Sequence, residues 1–137
     1  MFLGENTHSL DAKGRLILPA RYRDQLEVAI VTSEVDGCLA LWPPDEFDAR
    51  SREMKAKWRG TPEERNQARV FFAGAQEASP DRQGRVALPA PLRDFAHLEK
   101  EVAVTGALDH VEIWDAAIWR EKKREGERSL TGGGPES

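Results

Sequence analysis

The chain has 137 residues, of which 32% are Asp, Glu, Lys or Arg and 39% are apolar, and its formal net charge is −4. That balance belongs to a folded globular chain and excludes low-complexity disorder, while no apolar run approaches the roughly 18 residues of a membrane-spanning helix. A single cysteine, Cys38, excludes an internal disulfide, and the opening MFLGENTHSLDAKG lacks the basic and apolar regions of a secretory leader, so a reducing, cytoplasmic setting is expected.

In chain order, Asp11-Ala12-Lys13-Gly14 is a tight turn, followed by a short apolar strand over Arg15–Leu18. Pro19 then opens a brief helix in PARYRDQL, because proline's missing N–H costs nothing in a first helical turn. Strands are predicted at Val28–Thr32 and Leu39–Trp42, with the turn signal Asp36-Gly37 between them. A helix starts at Pro43-Pro44-Asp45 and stops at Gly60, with Phe47, Ser51, Met54 and Trp58 on one face. Thr61-Pro62-Glu63-Glu64 is a capping box with proline at its first position, and opens a second helix to about Ala73.

From Ser79 the chain repeats itself. SLDAKGRLILPARYRD (9–24) and SPDRQGRVALPAPLRD (79–94) share nine of sixteen positions without a gap. A second strand, Arg85–Leu88, a second brief helix, PAPLRDFA, and strands at Glu101–Thr105 and Val111–Trp114 follow, the last pair around Asp109-His110. AIVTSEVDGCLALW (29–42) resembles VAVTGALDHVEIW (102–114), and each run closes on Trp. A charged helix from Asp115 to about Arg128 precedes a Gly-rich tail that reads as disordered. Two copies make a duplicated unit and not a solenoid, which needs three or more. The organisation expected is a first unit with trailing helix (1–60), a connecting helix (61–76), a second unit with C-terminal helix (77–128) and a tail (129–137). The helical pair over 44–73 is expected to join the units and to fill space between neighbouring subunits.

The repeated turn separates structural from functional residues. Asp11 and Asp81 can accept backbone N–H bonds two residues on, and Gly14 and Gly84 supply the positive φ of a tight hairpin. Lys13, Arg15, Arg82 and Arg85 are not needed by a turn. They are candidate DNA contacts, because arginine can grip a guanine edge or a phosphate through two parallel hydrogen bonds. Arginine follows the glycine in both copies, whereas Lys13 is replaced by Gln83. Arg23 and Arg93 are read either as helix-end partners of Asp24 and Asp94 or as phosphate contacts, with the structural role favoured.

Net acidity does not exclude a nucleic-acid partner, since screening limits the reach of a charge to about 10 Å at 0.1 M salt. Residues 13–23 carry four cations and no acid. Catalysis is poorly supported. His8, His97 and His110 have no metal-ligand spacing, and the chain has neither a phosphate-binding loop nor a nucleophile elbow. No metal, cofactor or small-molecule ligand is expected, and the chain is not read as an enzyme. Trp42, Trp58, Trp114 and Trp119 are assigned to core or subunit contact ahead of base stacking.

The doubled Asp-x-x-Gly-Arg motif with Leu-Pro-Ala and Arg-Asp, the N-terminal MFLGENTHSLDAKGR and the Leu-Trp and Ile-Trp endings resemble the MraZ family of bacterial transcriptional regulators, over about residues 1–125. Each half resembles the AbrB-type swapped-hairpin unit. The resemblance implies a mainly β fold with peripheral helices (α+β), a pseudo-twofold barrel that one chain completes from two tandem repeats, and assembly into a ring of identical subunits. It implies a nucleoid-associated repressor of its own division and cell-wall gene cluster, which binds short G-rich direct repeats in double-stranded promoter DNA through Asp11–Arg15 and Asp81–Arg85. Gln83, Pro80 and Pro91 depart from the family pattern, so the second turn is expected to bind more weakly or mainly to complete the barrel. The competing expectation is a barrel-type protein-interaction adaptor without DNA binding; an antitoxin is disfavoured because both half-barrels lie on one chain.

Overall fold

The computed structural model describes residues 1–133. Around both turns burial alternates with the period of two that belongs to a strand. Leu16 and Leu18 are buried and Ile17 is exposed; Val86, Leu88 and Ala87 repeat the pattern. The elements are β1 (Glu5–Ser9), β2 (Arg15–Ile17), α1 (Ala20–Arg23), β3 (Ile30–Ser33), β4 (Leu39–Trp42), α2 (Pro44–Ala56), α3 (Pro62–Gly74), β5 (Gln76–Glu77), β6 (Arg85–Ala87), α4 (Ala90–Phe95), β7 (Glu101–Gly106), β8 (Val111–Asp115) and α5 (Ala116–Leu130). Single 3-10 turns extend α1 over Asp24–Leu26 and α2 over Lys57–Arg59. β3 starts at Ile30, later than the predicted Val28, and α5 reaches Leu130, two residues into the predicted tail. Of the rest of that tail, residues 134–137 lie outside the described residues.

The two units are interleaved. Six strands form one antiparallel sheet in the order β1-β7-β8-β4-β3-β5, and β2 pairs with β6 in a separate two-stranded ribbon. Exchanging each strand with its repeat turns this order into its own reverse, which is the signature of a pseudo-twofold axis. Leu16, opposite Val86, and Ala40, opposite Glu112, lie at equivalent positions of the two copies, so the axis runs through both pairs. The swapped-hairpin arrangement is therefore present.

The closed barrel is not. Among the described residues β1 and β5 remain edges of the large sheet, and the ribbon is hydrogen-bonded to neither. β2 and β6 are three residues long, each bounded by the glycine turn before it and a proline two residues after it. Proline cannot donate to a ladder, so neither strand can extend far enough to bridge the edges.

One core serves both units. Leu16, Leu18, Tyr22 and Leu26 of the first pack in the same cluster as Val86, Leu88, Leu92 and Leu98 of the second. A half of a 137-residue chain buries only a modest share of its surface by itself, and a shared core raises that share. On the periphery, α3 begins with the predicted capping box: Thr61 Oγ1 accepts from Glu64 N, and Glu64 Oε1 accepts from Thr61 N. Met54 and Phe71 are buried where α2 meets α3, and Phe47 stacks on Phe71 at 6.3 Å. Trp58, expected on that apolar face, is 39% exposed beneath the Arg69 guanidinium. Trp42 and Trp114 are buried, and Trp119 packs beside Trp114 while donating to Glu5. No helix among the described residues is long and apolar enough to cross a membrane.

Candidate nucleic-acid interface

The two turns have the same hydrogen bonds, residue for residue. Asp11 Oδ1 accepts from the backbone N–H groups of Lys13 and Arg15, both at 2.9 Å, and Gly14 N donates to Asp11 O. Asp81 Oδ1 accepts from Gln83 and Arg85 at the same distances. Gly14 and Gly84 have φ of +73° and +78°, the left-handed conformation for which glycine was expected.

Each aspartate has a second task that the sequence did not disclose. Asp11 Oδ2 accepts from Arg15 Nε at 2.6 Å, and Asp81 Oδ2 from Arg85 Nε at 2.8 Å. The backbone N–H of Arg15 and then its side chain hold the Asp11 carboxyl below the usual carboxylate range, and Arg85 does the same to Asp81. Among the described residues no other side-chain hydrogen bond reaches either guanidinium. The Nη edge of each, with parallel N–H donors, is left for another partner.

Pairing of β2 with β6 decides where those edges lie. Arg15 stands opposite Ala87, and Ile17 opposite Arg85. Leu16 and Val86 point into the core, so Arg15, Ile17, Arg85 and Ala87 share the outer face of the ribbon. The two arginines are diagonal neighbours, about 7–8 Å apart on such a ladder. Residues seventy apart in the chain thus form one surface. Lys13 and Arg82 are exposed at the two tips, but not as equivalents: Lys13 matches Gln83, and Arg82 matches Ala12.

Arg23 and Arg93 belong beneath this surface. Arg23 Nε donates to Leu18 O and Arg93 Nε to Leu88 O, each at 3.0 Å. Each guanidinium also lies against the glycine of the opposite turn: Arg93 against Gly14, and Arg23 against Gly84. Neither pairs with the neighbouring Asp24 or Asp94. These contacts join the two units, in place of the helix-end pairing with Asp24 and Asp94 that was expected. The groove beside the second turn is lined by Arg23, Arg82 and also by Asp24, Glu27 and Asp81, so acids accompany the cations there.

The histidines are dispersed. His8 is half-buried, and burial, followed by Arg21, lowers its pKa. His110 bridges Asp109 and Glu112 and stacks on Trp42 at 4.2 Å. Burial pushes the Cys38 thiol pKa up, keeping it protonated. Among the described residues no three His, Cys, Asp or Glu side chains are grouped to hold a metal. A groove of about 370 Å³ between the β3–β4 turn, α2 and α3 includes no residue of either Asp-x-x-Gly-Arg turn.

Fold and site together define a single-chain tandem of two swapped-hairpin units, whose turns are joined in one arginine-bearing ribbon. The family model described as "MraZ protein, putative antitoxin-like" matches twice, over residues 1–70 and 71–132. The chain is 48% identical over 121 residues to the transcriptional regulator MraZ of a Nocardioides species, covering 88% of this chain and 84% of that one. It is 44% identical over 128 residues to the transcriptional regulator MraZ of Desulfitobacterium hafniense, covering 93% and 90%. The chain belongs to the MraZ family of transcriptional regulators, which is not a family of enzymes.

Proposed function

We propose that this chain is a DNA-binding transcriptional regulator whose reading surface is the β2–β6 ribbon. The observation that carries the proposal is the placing of Arg15 and Arg85 on one outer face, each with Nε anchored by an aspartate of its own turn. A two-stranded ribbon fits the major groove, where arginine grips O6 and N7 of guanine. Anchoring Nε fixes the plane of the fork before DNA arrives, which reduces the side-chain entropy lost on binding. Lys13 and Arg82 at the tips supply phosphate contacts; Arg23 and Arg93 hold the ribbon in shape.

The DNA read in this way is a short G-rich direct repeat in the promoter of the chain's own division and cell-wall gene cluster, and bound protein represses by obstructing polymerase. One ribbon offers few contacts. A ring of subunits on evenly spaced repeats raises affinity on the order of 10²–10⁴-fold when the spacing matches. The setting is cytoplasmic and nucleoid-associated. The adaptor reading draws its support from the groove at α2 and α3, where Val35, Val70 and Phe95 are exposed.

Fluorescence anisotropy with promoter DNA, for wild type and Arg15→Ala at several salt concentrations, tests the proposal. Six phosphate contacts predict a log–log salt slope of about −5. The mutant is expected to lose binding while keeping its assembly state. Wild type that ignores promoter DNA at every salt concentration leaves the adaptor reading in place of this one.

A further inference from the structure

The outer face of the ribbon is not purely basic. Ile17 is 51% exposed at its centre, with Arg15 two residues back on its own strand and Arg85 directly across. The equivalent residue of the second unit is Ala87. Local folding does not explain the difference, because both positions face outward on the same ladder and make the same backbone bonds. Single exposed apolar residues are common on protein surfaces. Here, however, the residue is fixed on a rigid strand between two arginines whose forks are already oriented.

We infer that Ile17 determines specificity by packing on the C5-methyl group of a thymine in the major groove. This rests on the DNA-reading proposal above and names one further element of what is read. Thymine is the base that presents an apolar group in that groove, and aliphatic contact with it is a recognised mode of readout. The geometry fits. Two residues of strand span about 6.7 Å, close to two base-pair steps of about 3.4 Å, so Arg15 and Ile17 can address bases two steps apart. A thymine read by Ile17 therefore lies within about two base pairs of a guanine read by arginine. The inequality of Ile17 and Ala87 also gives the pseudo-twofold ribbon a direction. A ribbon with direction sits one way round on a non-palindromic site, as direct repeats require.

The test compares promoter duplexes built with thymine or with deoxyuracil, which differs by the C5-methyl alone. Wild type, Ile17→Ala and Arg15→Ala are titrated against both by fluorescence anisotropy, with thermal melting to show that each variant is folded. Wild type is expected to bind the uracil duplex about threefold to fivefold more weakly per contacted thymine, the value of one buried methyl group. Ile17→Ala is expected to bind both duplexes alike, at the wild-type uracil level. Equal binding of wild type to both duplexes, with Arg15→Ala still impaired, overturns the role of Ile17 and leaves the DNA-reading proposal standing. Retention of the uracil penalty by Ile17→Ala places the methyl contact elsewhere and overturns it too. If wild type binds neither duplex, the DNA-reading proposal falls and takes this inference with it.

Discussion

Arg93, in the helix of the second unit, lies directly against Gly14 in the turn of the first, so closely that a β-carbon on Gly14 would overlap its Cζ and Nε atoms. Arg23 and Gly84 repeat the contact in the opposite direction. Each unit thus supports the other's turn from below, and the two basic tips are set in position by residues remote in sequence.

Gly14→Ala is expected to destabilise the chain by about 2 kcal/mol or more, from the left-handed backbone and the clash together. In an Arg93→Ala background the clash disappears and the backbone cost remains, so the same substitution should cost less there. Urea midpoints for the four proteins give the coupling. Strict additivity of the two changes would show that the contact does not exist in solution.

The Asp11–Arg15 pair orients the arginine and also partly neutralises it. Asp11→Asn keeps an acceptor for the two backbone N–H groups but removes the charge that holds Arg15 Nε. Promoter affinity should fall roughly tenfold, within the 1–3 kcal/mol of one bidentate base contact, while affinity for unrelated DNA stays level or rises with the added positive charge. The ratio of the two affinities is the quantity to measure, and parallel changes in both would refute an orienting role. Because both aspartates titrate below the usual carboxylate range, the anchor contributes fully above that range and is lost as pH falls below it, through the lowered folded values.

Leu16 and Val86 face each other on the pseudo-twofold axis inside the shared core. Leu16→Ala should cost about 2–5 kcal/mol, as deletion of a buried leucine does. Wild type and variant should each unfold in one transition, with far-ultraviolet circular dichroism and tryptophan fluorescence coinciding. Two separated transitions would mean that the units fold independently.

His110 sets a pH dependence. Burial opposes its charge, but hydrogen bonds to Glu112 and Asp109 outweigh burial, and its folded pKa is raised. Trp42 stacks on its ring, and Trp114 donates to the Glu112 carboxylate that His110 contacts. A raised folded pKa gives stability that is complete below the unfolded value of about 6.5 and lost as pH rises through the folded value. His110→Gln should therefore destabilise more at pH 6 than at pH 8, as read by chemical denaturation. An equal effect at both values would show that the charged form gains nothing.

Much of this was legible in the chain because it is local. The positive φ of Gly14 and Gly84, the aspartate bonds inside each turn, the helix start at Pro19 and the capping box at Thr61 depend on neighbours within about four positions, and their residue types state them directly. The duplication, read as two units, was in the sequence as well, and so were the candidate cations.

Tertiary structure decided where those cations lie. Nothing in the repeat says that β2 pairs with β6, that Arg23 crosses to Gly84, or that Ile17 stands opposite Arg85, since each contact joins residues more than sixty positions apart. It also decided against the expected closed barrel: three-residue strands bounded by prolines pair only with each other and leave β1 and β5 as edges. The sequence by itself determined two rigid turns bearing arginine, through short-range hydrogen bonding and glycine's freedom at positive φ. Their union into one surface came from packing, because burying Leu16, Leu18, Val86 and Leu88 in a common core, with strand pairing between the units, brings the two halves together.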